Sequence, residues 1–153
     1  MRTRALALSI AALATIGIGL AGCSSSEVGN ATGSSAVQGP AAPVAVPSAP
    51  ERVDAARFAE VVASPGVTII DVRTPEEFAA GHIQGAVNYN VQGPDFGNQI
   101  GALEPAGTYA VYCRSGNRSQ AAVAVMSQAG ITGIYELESG IVGWEQAGLP
   151  TVS

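Results

Sequence analysis

Apolar and polar positions alternate in blocks from residue 51 to the end of the chain. Mostly apolar runs, rich in β-branched or aromatic side chains, occupy residues 67–72, 109–112 and 134–137. Such runs are typical of strands that are buried on both faces of a parallel sheet. A shorter run at residues 86–89 predicts a fourth, short strand.

The segments between these runs carry helix signals. Thr74, Pro75 and Glu77 fit the N-cap, first and third positions of a capping box, and Gly81 is placed to end that helix. Asp54 can cap an earlier helix. The other predicted helices cover residues 55–63, 95–103, 119–129 and 141–147. Because strands and helices alternate with short connections, the order predicts an α/β layered domain with a mainly parallel sheet.

The start of the chain is organised like an export signal. A basic segment at residues 1–4 precedes an apolar stretch at residues 5–20, and small residues then lead to Cys23. Residues 1–22 resemble the signal peptide of a bacterial lipoprotein, in which the cysteine is lipidated and becomes the mature N-terminus. On this interpretation Cys23 anchors an exported protein to an envelope membrane, with the domain outside the cytoplasm. The alternative is an ordinary cleaved signal that leaves Cys23 as a spare thiol or a disulfide partner.

Residues 23–50 lead from the anchor cysteine to the domain. After Cys23 they are rich in Gly, Ser, Ala and Pro, carry Glu27 as their single charge, and show no apolar period. This composition predicts a disordered tether. The remaining residues, 51–153, leave room for one small domain.

The charge of the domain argues against nucleic acid as a partner. The chain has 12 acidic and seven basic residues, all seven of them arginine; Glu27, Arg2 and Arg4 precede the domain, which leaves eleven acidic residues and five arginines. Two of those arginines, Arg114 and Arg118, lie next to Cys113. Positive charge gathered beside one thiol in an acidic domain predicts a site for a small anion.

Cys113 begins the segment Cys-Arg-Ser-Gly-Asn-Arg-Ser, residues 113–119, between a predicted strand and a predicted helix. A short Gly-containing turn at this place aims backbone N–H groups and the positive helix end at the sulfur. Surroundings of this kind lower a thiol pKa from about 8.5 to roughly 3.5–7.5, and the thiolate is the nucleophile. We therefore expect Cys113 to be a nucleophile at the strand's carboxyl end, where parallel sheets bind ligands.

The spacing Cys-x-x-x-x-Arg, with Gly116 inside the loop, resembles the active-site loop of the rhodanese family. Residues 71–78 and 81–86 resemble two upstream signatures of that family, and residues 140–144 resemble its C-terminal Gly-Trp segment. Together these segments span nearly all of the predicted domain, in the family's order. The resemblance implies a rhodanese-like α/β fold, in which a small, mainly parallel sheet is flanked by helices on both faces.

The same resemblance implies a sulfurtransferase. Cys113 is expected to take a sulfane sulfur from an anionic donor such as thiosulfate, to form a persulfide, and to pass the sulfur to cyanide, a thiol or a partner protein. Arg118, together with Arg114, is expected to bind the donor. The loop residues expected to cradle the persulfide through their N–H groups are Arg114, Ser115, Gly116, Asn117, Arg118 and Ser119. No catalytic histidine is expected, because the thiolate and the sulfite leaving group are both stable anions. No cofactor is expected, and no metal, because one histidine and one free thiol cannot form a zinc site.

Four other residues have a structural interpretation, and for two of them a functional one stays open. Asp71 and Arg73 form either a pair that supports the active loop or a strand-end ion pair that only closes the sheet. His82 is expected to be structural, through hydrogen bonds in the turn after the capped helix. Trp144 is expected to lie in the core.

Two other functions are compatible with the thiol loop. Cysteine phosphatases and arsenate reductases also hold a thiolate among N–H groups, but their pattern is similar to Cys-x-x-x-x-x-Arg, one residue longer than the loop here. The shorter loop suits one sulfur atom better than the three oxygens of a phosphoryl group. The second alternative is a tethered binding module or persulfide carrier with little turnover of its own.

Overall fold

The computed structural model of the chain describes residues 42–153. The strands are β1 (Glu51–Val53), β2 (Val67–Asp71), β3 (Val87–Asn88), β4 (Thr108–Tyr112) and β5 (Ile134–Leu137). The helices are α1 (Ala55–Val62), α2 (Pro75–Ala80), α3 (Phe96–Gly101), α4 (Asn117–Gln128) and α5 (Gly140–Gln146). No helix within residues 42–153 has both the length and the apolar character needed to cross a membrane.

The strands form one sheet in the order β1-β5-β4-β2-β3, and each of these pairings is parallel. The strand that precedes the thiol loop, β4, lies at the centre, where Val111 pairs with Ile70 of β2 and with Glu136 of β5. Because parallel strands end at the same edge, the loop after β4 opens in the middle of the edge where such sheets bind ligands. The predicted α/β class with a mainly parallel sheet is confirmed.

Two apolar clusters cover the two faces of the sheet. Ala110 and Tyr112 of β4 lie in a cluster with Phe58 of α1 and Trp144 of α5, which is 4% exposed. Cys113 lies in the other cluster, because side chains alternate between the two faces of a strand. The helical members of this second cluster come from α3 and α4 and are Phe96, Ile100, Ala122 and Met126. The sheet is therefore flanked by helices on both faces, as predicted, and Trp144 lies in the core.

The structure has one strand that the sequence did not predict, and the ends of several elements differ by one or two residues. β1 was not predicted, because a strand of three residues is too short to produce a periodic apolar signal. α4 begins at Asn117, two residues earlier than predicted, because the chain already turns at the residue before it. Part of the predicted loop is thus the first turn of a helix.

Two residues of the segment 42–50, which the sequence assigns to a disordered tether, contact the domain. Val44 packs on the cluster that contains Phe58. The Ala45 carbonyl accepts a hydrogen bond of 2.7 Å from the Tyr135 hydroxyl of β5. A composition rich in Pro and Ala does not predict these contacts, because they depend on the surface that the rest of the chain forms.

Candidate active site

The Cys113 loop runs from the carboxyl end of β4 to the start of α4. Gly116 is the N-cap of α4 and has a left-handed backbone, with φ of +92°. A Cβ at this position would collide with the carbonyl oxygen of Glu138. The turn therefore requires glycine for both conformation and space. It places Asn117, Arg118 and Ser119 in the first helical turn, where N–H groups lack partners within the helix.

The sulfur of Cys113 lies at the base of this loop, and the residue is 1% exposed. The Gly116 N–H donates to the sulfur at 3.1 Å, and the Ser119 Oγ lies 3.5 Å away. Burial raises the pKa of the thiol, but the hydrogen bond with the Ser119 side chain and those from the N–H groups of Ser119, Ser115 and Gly116 outweigh it. The pKa of Cys113 is therefore lower than its ordinary value, which favours the nucleophilic thiolate.

Helix α5 holds the loop from the outside. The Ile141 N–H donates to the Cys113 carbonyl at 2.8 Å, and the Val142 N–H donates to the Arg114 carbonyl at 3.2 Å. A Cβ on Gly140 would collide with the backbone of Arg114, so the helix start and the loop are in direct contact. Because the first two carbonyls of the loop turn toward α5, the N–H groups that follow are left to face the sulfur.

The guanidinium of Arg118 is held by the carboxylate of Glu77 in α2. The Nη1 and Nη2 atoms donate to Oε2 and Oε1 at 2.6 and 2.7 Å, a bidentate pair. The hydrogen bonds from Arg118 lower the pKa of Glu77 to about 2. Burial opposes this shift, and the hydrogen bond from the Thr74 N–H of the capping box adds to it. Glu77 thereby fixes the direction in which Arg118 leaves the loop. That Arg118 binds a donor anion stays a prediction.

Arg114 and Asn117 are the exposed members of the loop on either side of Gly116, together with Ser115. Arg114 borders a cavity of about 340 Å³ between α2 and α5. The other lining residues are Arg73, Glu77, Ala80, Ile141, Val142 and Glu145. The cavity is large enough for a small anion or a thiol, and Arg114 offers it an exposed positive charge. The donor-binding role of Arg114 also stays a prediction.

Asp71 and Arg73 form a buried ion pair at the end of β2. The Arg73 Nε donates to both carboxylate oxygens at 3.0 and 2.9 Å, and Nη2 donates to Oδ2 at 2.6 Å. Arg73 also donates to the Gly81 carbonyl at 2.6 Å, and its guanidinium lies 5.8 Å from the ring centre of Tyr112. The pair therefore closes the sheet edge and also packs on the residue directly before Cys113.

A second buried carboxylate lies behind the loop, on β5. Glu136 is 2% exposed, and its Oε1 accepts a hydrogen bond of 2.7 Å from the Ser119 hydroxyl. Its Oε2 pairs with Nε of Arg52 in β1 at 2.8 Å. The Ser119 Oγ also lies 2.9 Å from the Gly116 carbonyl oxygen. The sulfur of Cys113 is thus linked through one hydroxyl to a buried charge.

Sequence reasoning missed Glu136 and recognised Glu77 only as a helix cap. The signal for Glu136 was present, since it is a carboxylate inside a strand predicted to be buried on both faces. No comparable signal marks Glu77, because its partner Arg118 is 41 residues away. The hydrogen bonds from the N–H groups of Ile141 and Val142 could not be predicted from residue types either, because these are backbone groups.

His82 lies in the turn after α2, where the sequence placed it. Its Nδ1 is 3.0 Å from the Phe78 carbonyl oxygen, and its ring stacks on the Phe78 ring at 3.8 Å between centres. The backbone of His82 exchanges two hydrogen bonds of 2.8 Å with Val152. These contacts agree with the structural role predicted for it. Cys23, the predicted lipidation site, lies outside the described residues.

Comparison with family models matches residues 54–147 to the rhodanese-like domain. Thiosulfate sulfurtransferase 16 from the chloroplast of Arabidopsis thaliana is 38% identical over 96 residues, which is 56% of this chain and 80% of the relative. A sulfurtransferase from Allochromatium vinosum is 33% identical over 87 residues, 57% of this chain and 79% of the relative. An uncharacterised protein from Synechocystis is 41% identical over 86 residues, and this chain spans about half of its length, 47%.

Solved structures agree with the family match. A rhodanese-related protein from Thermoplasma volcanium superposes with a TM-score of 0.59 at 35% identity, over 67% of this chain and 97% of that one. The rhodanese-like domain of an Anabaena protein gives a TM-score of 0.60 at 28% identity, over 67% and 78% of the two chains. The fold around the Cys113 loop is thus the fold that these proteins share.

Proposed function

The chain belongs to the family of rhodanese-like domains, and we propose that it is a sulfurtransferase that works through a persulfide on Cys113. One observation carries the proposal: a buried sulfur with a lowered pKa lies at the centre of a loop whose N–H groups converge on it. Relatives named as sulfurtransferases support the same reaction class.

In the first step the Cys113 thiolate attacks the outer, sulfane sulfur of thiosulfate or a similar donor. A new S–S bond forms to Cys113, the S–S bond of the donor breaks, and sulfite leaves with the bonding electrons. Positive charge from Arg114 and Arg118 attracts the anionic donor. The N–H groups around the sulfur then stabilise the negative outer sulfur of the persulfide, as they stabilise the thiolate before it.

In the second step a thiophilic acceptor attacks the outer sulfur of the persulfide. With cyanide, thiocyanate leaves and the Cys113 thiolate is regenerated; with a thiol or a thiol of a partner protein, the sulfur leaves as a persulfide of that acceptor. The lowered pKa of Cys113, which favours its attack in the first step, also makes it a good leaving group in the second. No proton has to be supplied in either step, which fits a loop that offers N–H groups and a hydroxyl around the sulfur.

The experiment is incubation of the full chain with thiosulfate, followed by mass spectrometry of the peptide that contains Cys113. We expect a gain of about 32 Da on that residue, which cyanide removes with formation of thiocyanate. Cys113→Ser is expected to lose both the adduct and turnover. An adduct without turnover would favour a carrier, no adduct would favour a binding module, and turnover of a phenyl phosphate would favour a phosphatase.

We further propose that the protein is exported and anchored to an envelope membrane through a lipid on Cys23, with the domain outside the cytoplasm. The order of basic, apolar and small residues before Cys23 supports this. Metabolic labelling with a radioactive fatty acid is expected to label the chain and not the variant Cys23→Ala. Equal labelling of the two, or none of either, would contradict the anchor.

A further inference from the structure

The Ser119 hydroxyl has more acceptors around it than it has protons. It carries one proton, while Oε1 of Glu136 lies at 2.7 Å, the Gly116 carbonyl at 2.9 Å and the Cys113 sulfur at 3.5 Å. A hydrogen bond to an ionised carboxylate is the shorter and stronger kind. Arg52 pairs with the other oxygen of Glu136 at 2.8 Å and leaves Oε1 to the hydroxyl. The carboxylate therefore competes with the sulfur for the only hydroxyl proton between them.

We propose that Glu136 is a positioning residue that limits the ionisation of Cys113 by drawing the hydroxyl proton of Ser119 away from the sulfur. With that proton on Glu136, a lone pair of Ser119 faces the sulfur. This arrangement favours a thiol, which can donate to the hydroxyl, over a thiolate, which cannot. The negative charge of Glu136 acts in the same direction. The proposal rests on the proposed function, because it assigns Glu136 a part in that chemistry.

The consequence for sulfur transfer is a balance between two demands on Cys113. The ring of N–H groups makes the thiolate abundant, but the nucleophilicity of a thiolate falls as its pKa falls, and the best attacking thiol has a pKa near the ambient pH. Glu136 opposes the N–H groups and keeps the thiolate reactive. Without it, Cys113 is a weaker nucleophile toward the donor and a better leaving group toward the acceptor.

Other charges surround the same site and are left unchanged in the test. Arg118 with Glu77 faces it from α4 and α2, the Asp71–Arg73 pair from the end of β2, and Arg114 from the loop. Arg52 faces Glu136 from β1. Of these, Arg52 is the group in direct contact with Glu136, and it therefore offers a second way to change the same carboxylate.

The test is the pH dependence of alkylation of Cys113 by iodoacetamide in the full chain, followed on the Cys113 peptide by mass spectrometry. In Glu136→Gln we expect the pKa of Cys113 to fall by about one, which raises the thiolate fraction about tenfold at a pH below that pKa. On the plateau above the pKa we expect the rate constant to fall about two- to threefold. A residue that only supports the fold does not produce these two opposite changes.

Glu138→Gln is the matched control, because it makes the same change in charge on an exposed side chain two residues away; its profile is expected to equal that of the parent. Glu136→Gln in a Ser119→Ala background tests whether Glu136 acts through the hydroxyl. In that background we expect the substitution to lower the pKa of Cys113 by less than half as much as it does in the parent. A pKa that is unchanged or raised in Glu136→Gln overturns the proposal, and an undiminished fall in the Ser119→Ala background overturns the part played by the hydroxyl.

Arg52→Gln extends the test, because it removes a positive charge, at a half-exposed position, where Glu136→Gln removes a negative one. Without this cation Glu136 attracts the hydroxyl proton more strongly, so we expect the pKa of Cys113 to rise. A fall would contradict the proposal even if Glu136→Gln did not fold. Alkylation does not require sulfur transfer. A parent protein that forms no persulfide therefore refutes the proposed function while leaving this comparison of pKa values valid.

Discussion

The ion pair between Glu77 and Arg118 joins α2 to the Cys113 loop. The substitution Glu77→Gln tests how strongly this ion pair stabilises the protein. Glutamine can still accept the hydrogen bond from the Thr74 N–H, because Glu and Gln both serve at the third position of a capping box. The substitution thus removes the charge that holds Arg118 and leaves the helix cap in place.

The magnitude follows from the pKa of Glu77. A carboxyl whose pKa falls from 4.5 to about 2 on folding stabilises the folded protein by about 3 kcal/mol at neutral pH. The two side chains are 29% and 25% exposed, so solvent screens part of this energy. We expect Glu77→Gln to lower the free energy of unfolding by about 2 kcal/mol at pH 7.

The sign of the pH dependence is fixed by the same pKa. Because the pKa is lower in the folded protein, the stabilisation is complete above the unfolded value of 4.5 and is lost as the pH falls toward about 2. Urea denaturation of the parent and Glu77→Gln at a series of pH values should therefore give stability curves that converge in this range. The control is Glu76→Gln, an exposed neighbour in the same helical turn. A loss no larger than that of the control, or one that persists unchanged to low pH, would refute the reasoning.

Three further predictions concern the loop and its support. Asp71→Asn leaves the buried Arg73 without its charged partner, and we expect urea denaturation to show a loss of about 3 kcal/mol, whereas a loss below about 1 kcal/mol would mean that the pair contributes little. Gly116→Ala places a Cβ against the Glu138 carbonyl in a left-handed backbone, and thermal denaturation should show a loss of about 2 kcal/mol, which a parent-like melting curve would rule out. Alkylation of Cys113 in the parent should rise with pH and reach its half-maximum at a lower pH than in the urea-unfolded chain, because the pKa of Cys113 is lowered; an equal or higher midpoint contradicts the ring of donors.

Features that depend on neighbouring residues could be predicted from the sequence, and contacts between distant residues could not. The capping box of Thr74 and Glu77 was predictable because both hydrogen bonds span three residues. The strand before Cys113 and the helix after it were predictable for the same reason. The predicted start of α4 was two residues late, because the left-handed turn at Gly116 leaves no periodic signal. The contact between Ala45 and the domain was not predictable from the sequence, because the hydrogen bond from Tyr135 to Ala45 joins positions 90 apart.

The amino-acid sequence by itself determined the order of the elements after β1, the α/β class and the place of Cys113 between a strand and a helix, since each is written in patterns a few residues long. Only the tertiary structure decided what surrounds that cysteine: Arg118 is turned toward Glu77, the carbonyl of Cys113 toward α5, and Ser119 toward Glu136, 17 residues further along the chain. The physical reason is that hydrogen bonds and ion pairs act over a few ångströms in space, while the groups that form them come from strands and helices whose proximity is set by the packing of the sheet.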